Sequence, residues 1–214
     1  SAEVSRDNIR VIMSLNFKSK LFYGGGDLAL NLMWQLQVFY IMFFYTDVFG
    51  LSPATAGLVF GIAKIWDAFS DPIMGYIADN TVTKWGKFRP YVLFGSIPAL
   101  ISIILCFMSP ELSQTGKFYW ALFTYISFTT LYTVVAIPLG SMIPVMTEDL
   151  NERTSLASYR YFGASLGAIV VVGCTRPIAE QFSSLQIGFP IAVSILAFFG
   201  FNENDSNSSK EKEN

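Results

Sequence analysis

The segment Gly61-Ile-Ala-Lys64-Ile-Trp66-Asp67-Ala-Phe-Ser70-Asp71-Pro72 places one base and two acids inside a long apolar run. Each such charge costs about 2.5–3.5 kcal/mol at the centre of a membrane-inserted helix, so three of them need a reason. Asp67 and Asp71 are four residues apart and share a helix face, about 6 Å apart along the axis. Lys64 lies three residues before Asp67 on nearly the same face. Two carboxylates with one ammonium leave a surplus negative charge, which either holds a hard cation through oxygen ligands or retains a proton. The alternative is a purely structural buried salt bridge. On the functional reading this is a coupling-ion site for sodium, lithium or a proton, with Ser70 and Thr133 as further oxygen donors.

A second group precedes it. Asp27 follows Gly24-Gly25-Gly26, with Asn31 and Trp34 one and two turns further along. A carboxylate accepts hydrogen bonds from sugar hydroxyls, and an aromatic face covers the apolar side of a pyranose ring. Asp27, Asn31 and Trp34 are therefore candidate sugar-binding residues, and Arg160 is a candidate to orient the ligand or pair with Asp27. Read structurally, Asp27 is an aspartate at a helix entrance and Arg160 a snorkelling interfacial arginine.

The elements that must position these residues are hydrophobic. The chain has 214 residues, 52% hydrophobic and 14% charged, with a mean hydropathy of +0.46, which places it in a lipid bilayer. Six apolar stretches, roughly 22–46, 54–78, 91–108, 118–143, 155–178 and 187–201, approach the ~20 residues that a span requires. The expected architecture is an all-α integral membrane protein: a cytoplasmic arm at 1–20, a six-helix bundle at 21–201, and a polar, disordered tail at 202–214. Bases at Lys84, Lys87, Arg89 and Arg153 put those loops and both termini on the cytoplasmic side. The first 20 residues lack the apolar core of a secretory signal. Gly57 with Gly61, and Gly163 with Gly167, are expected to allow close helix approach.

The same composition excludes other classes. A net charge of −2 gives no basic footprint for nucleic acid. With no histidine in the chain, Ser-His-Asp catalysis and histidine-ligated zinc are absent. No nucleophile–base pair emerges, so an enzyme ranks last. No cofactor is expected beyond the coupling cation. Cys106 and Cys174 lie in separate apolar runs and behave as small hydrophobes.

Gly75-x-x-x-Asp79 followed by Lys84-x-Gly86-Lys87-x-Arg89 resembles the loop signature between helices two and three of the major facilitator superfamily. More narrowly, Tyr45-Thr-Asp47-Val-Phe-Gly50-Leu-Ser, Ile65-Trp66-Asp67-Ala-Phe-Ser70-Asp71-Pro72, Trp85-Gly86-Lys87-Phe88-Arg89-Pro90 and Pro144-x-Met-Thr147-x-Asp149 resemble the glycoside/pentoside/hexuronide:cation symporter family over about residues 18–200. The resemblance implies cation-coupled sugar symport across the plasma membrane by alternating access. It also implies a bundle made of two inverted three-helix repeats. Asp67, Asp71, Ser70 and Thr133 then match its cation site, Asp27 and Arg160 its sugar site, and Gly75, Asp79, Lys84, Gly86, Lys87 and Arg89 a charge lock for the outward-facing state. Gly26, Ala136 and Gly140 stand where melibiose-transporting members carry lysine, aspartate and tryptophan, which argues against an α-galactoside and for a glycuronide, pentoside or short xylo-oligosaccharide. Family members have twelve helices, so the chain is expected to be the N-terminal half, with a missing C-terminal six-helix half as partner. A lysolipid symporter of the same fold and a non-transporting membrane subunit are the alternatives.

Overall fold

The computed structural model describes residues 17–81, 83, 88–146 and 150–210, while the side chains of 17–29, 89, 93, 142–146, 151–153, 156, 159, 160 and 199–210 lie outside that description. Among the described residues the fold is all-α. Six helices follow one another: α1 (Phe17–Phe43), α2 (Pro53–Asn80), α3 (Arg89–Cys106), α4 (Gln114–Met146), α5 (Leu150–Ala179) and α6 (Leu185–Lys210). All six coincide with the six apolar stretches.

Local chemistry sets several boundaries. α1 closes in a π-helical turn, Phe44–Val48. Gly50 then reverses the chain at φ +76°, a left-handed conformation natural to glycine. Ser52 caps α2 by accepting from the Thr55 N–H at 3.1 Å, and Pro53 occupies the first turn, where no backbone donor is needed.

Packing gives the bundle its order. α3 lies against α4, α1 against α5 and α6, and α2 chiefly against α4. The largest core surrounds the end of α1, where Phe44, Tyr45, Phe49, Phe107 and Phe189 are buried together. Phe107 and Phe189 stack with centroids 6.1 Å apart, and Tyr45 stacks on Phe60 at 6.0 Å. A smaller cluster of Met74, Ala78 and Phe88 joins the far end of α2 to the start of α3.

Leu58, Ile62, Ile65, Phe69, Ile73 and Tyr76 form an uncovered apolar stripe along α2. At 100° per residue this stripe is opposite Asp67. Such an exposed apolar strip marks contact with lipid or another protein. Gln114–Ser141 and Tyr161–Ala179 are long and apolar enough to cross a membrane by length and composition, and Leu185–Phe198 is a shorter apolar helix.

α6 runs to Lys210. One sequence expectation, the glycine patches, differs from the structure: a Cβ at Gly57, Gly61 or Gly163 would meet nothing within 4 Å. The close approaches are at Gly95, where a Cβ would lie 2.6 Å from Val135 Cγ2, and at Gly188, where it would lie 2.1 Å from the Ala179 carbonyl oxygen.

Candidate functional site

The acidic face of α2 meets α4 through a ladder of side-chain hydrogen bonds. Trp66 Nε1 donates to Thr130 Oγ1 at 2.8 Å. One turn further along both helices, Thr133 Oγ1 donates to Asp71 Oδ1 at 2.9 Å. The two helices run in the same direction, so residue pairs about 63 apart meet at successive levels. Thr133 itself is buried, while Asp71 is exposed. Its carboxylate is thus anchored on one oxygen and open on its other side.

Asp67 has a divided environment. Lys64 Nζ donates to Asp67 Oδ2 at 3.0 Å, with the lysine side chain 62% exposed and the aspartate 15%. The other oxygen, Asp67 Oδ1, is buried with no hydrogen-bond partner. An unpaired buried carboxylate oxygen is costly, of order 1–3 kcal/mol, and attracts a donor or a cation. Ser70 turns its hydroxyl towards the Asp67 backbone carbonyl at 3.5 Å, within the same helix. Pro72 has no N–H, so the Ala68 carbonyl receives no helical bond from residue 72. The two carboxylates and the Ala68 carbonyl give this part of α2 several oxygen acceptors, the ligand type that suits a hard cation.

Trp34 of α1 stacks on Tyr132 of α4, with centroids 5.2 Å apart and planes inclined by 29°. The Lys64 ammonium stands 5.8 Å from the centre of the Trp34 ring. Trp34, the aromatic of the candidate sugar-binding group, is thereby joined to Asp67 through Lys64. Asn31 is half-buried on α1. Asp27 and Arg160 belong to α1 and α5, and their side chains fall outside the described set. Ala136 packs against the small apolar cluster of Leu30, Val135 and Leu139.

Of the lock-loop residues, Gly75 is half-buried within α2 and Asp79 is exposed in its last turn. Lys84, Gly86 and Lys87 lie outside the described residues, and Arg89 opens α3 with its side chain outside the description. Among the described residues there is no cluster of three or more metal-ligating side chains.

Sequence reasoning did not assign roles to Thr130, Tyr132 or Gln37. Gln37 of α1 is 3% exposed, and its Oε1 is buried without a partner. A glutamine within an apolar run is the signal that could have found it, because a buried amide oxygen without a partner is costly.

Residues 22–201 match the family described as MFS/sugar transport protein. An uncharacterized symporter, YnaJ, of Bacillus subtilis (strain 168) is 38% identical over 193 residues, covering 88% of this chain and 42% of the relative. The inner membrane symporter YicJ of Escherichia coli (strain K12) is 39% identical over 189 residues, covering 87% and 41%. An isoprimeverose transporter of Lactiplantibacillus pentosus is 41% identical over 166 residues, covering 78% and 35%. The chain thus spans about two-fifths of the length of the relatives it matches. With its helical bundle, its acidic α2 and this match over most of its residues, the chain belongs to the glycoside/pentoside/hexuronide:cation symporter family, the sugar transporters of the major facilitator superfamily rather than any family of enzymes.

Proposed function

We propose that this chain supplies a six-helix bundle to a cation-coupled sugar symporter of the bacterial inner membrane, with α2 carrying the coupling ion and α1 facing the sugar. One observation carries the reading. Thr133 holds Asp71, and Asp67, one turn away on the same helix, retains a buried oxygen with no partner. A salt bridge built only for structure would leave neither that oxygen unpaired nor Asp71 open to the surroundings.

Sodium, lithium or a proton at this pair would neutralise the surplus charge. By linkage, an ion that strengthens sugar binding is itself held more tightly by the sugar-loaded protein. Alternating access then carries both solutes together, and a second six-helix bundle would complete the pathway. The loop with Gly75, Asp79, Lys84, Gly86, Lys87 and Arg89 would hold one of the two access states, with the N-terminus cytoplasmic. Asp27, Asn31, Trp34 and Arg160 would bind the sugar. The apolar surroundings of Ala136 and the relative named an isoprimeverose transporter support a short glycoside or pentoside as substrate over an α-galactoside.

The test is accumulation of isoprimeverose in membrane vesicles under an imposed sodium or proton gradient. Asp71→Asn in the full-length protein should abolish gradient-driven accumulation while leaving folded protein in the membrane. Undiminished accumulation in that variant refutes the assignment.

A further inference from the structure

We infer that Gln37 of α1, Tyr125 of α4 and Asp67 of α2 enclose a buried water site, which joins the Asp67 carboxylate to α1. Gln37 and Tyr125 are 3% and 7% exposed. The Gln37 side chain pairs with the Tyr125 hydroxyl, and the Asp67 charge lies close enough to act on that hydroxyl. Two oxygens of this neighbourhood are nonetheless buried without a hydrogen-bond partner, Gln37 Oε1 and Asp67 Oδ1.

The direction of the helices turns these oxygens towards one level. Tyr45 stacks on Phe60, while Trp34, earlier on α1, meets Lys64, further along α2. The two helices are therefore antiparallel. Gln37 lies one turn beyond Trp34, and Asp67 one turn beyond Lys64. Helical side chains lean towards the N-terminus of their own helix. Both therefore lean back towards the level at which Trp34 meets Lys64.

The count of donors identifies the occupant. An amide oxygen and a carboxylate oxygen are both acceptors and cannot bond to each other. Lys64 Nζ serves the other carboxylate oxygen, Asp67 Oδ2, at 3.0 Å from an exposed side chain. Because Gln37 Oε1 is unpaired, the amide nitrogen makes the bond to Tyr125, and the tyrosine keeps one proton for two waiting acceptors. A water closes this count. It donates one hydrogen to Gln37 Oε1 and the other to Asp67 Oδ1, and it accepts from the Tyr125 O–H, making the roughly three bonds usual for a buried water. Phe60 covers Tyr125 with ring centroids 5.1 Å apart and leads into the aromatic core through Tyr45, which closes that side. A water is also an exchangeable partner, so it leaves Asp67 available to a cation where a fixed protein donor would not.

Radiolytic footprinting of the full-length protein in lipid nanodiscs and choline chloride tests this. X-ray pulses convert water to hydroxyl radicals where it sits, so a buried tyrosine is oxidised when a held water lies beside it. Tyr45 is the control, being fully buried with its hydroxyl on the Ala121 backbone carbonyl at 3.4 Å. Tyr125 should be oxidised several-fold faster than Tyr45. Gln37→Leu keeps the bulk and removes both amide atoms, and it should bring Tyr125 down to the rate of Tyr45. Asp67→Leu removes the other acceptor at similar size and should do the same, which decides the matter where Gln37→Leu fails to fold. Equal rates for Tyr125 and Tyr45 in the unmodified protein overturn the inference; a Gln37 amide turned over to donate directly to Asp67 gives this result. Undiminished oxidation of Tyr125 in the folded variants overturns it too, because bulk solvent is then the source. Either failure leaves the symport reading standing, since it concerns only the partner of Asp67 in the ion-free protein.

Discussion

Thr133 on α4 donates its hydroxyl proton to Asp71 on α2 across 2.9 Å. The bond joins a buried side chain to an exposed one, so the threonine fixes the direction in which the carboxylate presents its free oxygen. Thr133→Val keeps the volume and removes the donor. A hydrogen bond to a charged group contributes roughly 1.5–3 kcal/mol, and solvent access at Asp71 places this one at the lower end. Under the proposed function, sodium affinity should fall by about tenfold in Thr133→Val and be largely retained in Thr133→Ser, as measured by calorimetric titration of sodium chloride into the full-length protein.

Asp67 predicts a gap in stability that depends on the salt. Asp67→Asn removes the carboxylate charge but leaves an amide atom in the same buried, unpartnered place, so the cost of an unpaired buried polar group stays. It also removes the Lys64 ion pair, which exposure of the lysine limits to about 0–1 kcal/mol. The variant should therefore melt close to the parent in choline chloride. Bound ion opens the gap: at about one hundred times its dissociation constant, a ligand stabilises its protein by about 2.7 kcal/mol. Under the proposed function the parent should melt several degrees above the variant in sodium chloride. Thermal unfolding in the two salts measures the gap, and a variant with the parent's full sodium response would contradict it.

What could be read from the sequence divides along the range of the interaction. The six helices follow from apolar runs separated by polar or glycine- and proline-containing turns, and both signals are local. The pairing of Lys64 with Asp67 is local too, since a spacing of three places both on one helical face. Thr133 was identifiable as a candidate by its type, whereas its contact with Asp71 depends on the register between α2 and α4. The same register decides the Trp66–Thr130 bond, which no spacing along the chain encodes. The place of Trp34 two turns after Asp27 marks it as a candidate sugar platform, but its placement under the Lys64 ammonium depends on how α1 approaches α2. The spacing of Gly57 and Gly61 states that a helix is able to come close, and it carries no information on whether one does. Gly95 and Gly188, which do meet a neighbour, stand in no repeat.

Those glycines give a contrast within one residue type. Gly95→Ala would set a methyl 2.6 Å from Val135 Cγ2, and Val135 is a fully buried, β-branched residue with little freedom to turn aside. Overpacking of this kind costs roughly 1–3 kcal/mol. Gly188→Ala is worse, because the methyl would meet the Ala179 backbone carbonyl at 2.1 Å, and backbone yields only if α5 and α6 move apart. Gly57→Ala, by contrast, meets nothing within 4 Å and gains about 0.8–1 kcal/mol of helix propensity. Unfolding followed by tryptophan fluorescence should rank the variants Gly57→Ala, parent, Gly95→Ala, Gly188→Ala in falling stability. If the complete transporter seats a second bundle against this face of α2, Gly57→Ala should lose its advantage in the full-length protein while keeping it in the isolated 214-residue chain, so measuring both tells an open face from one that a partner covers.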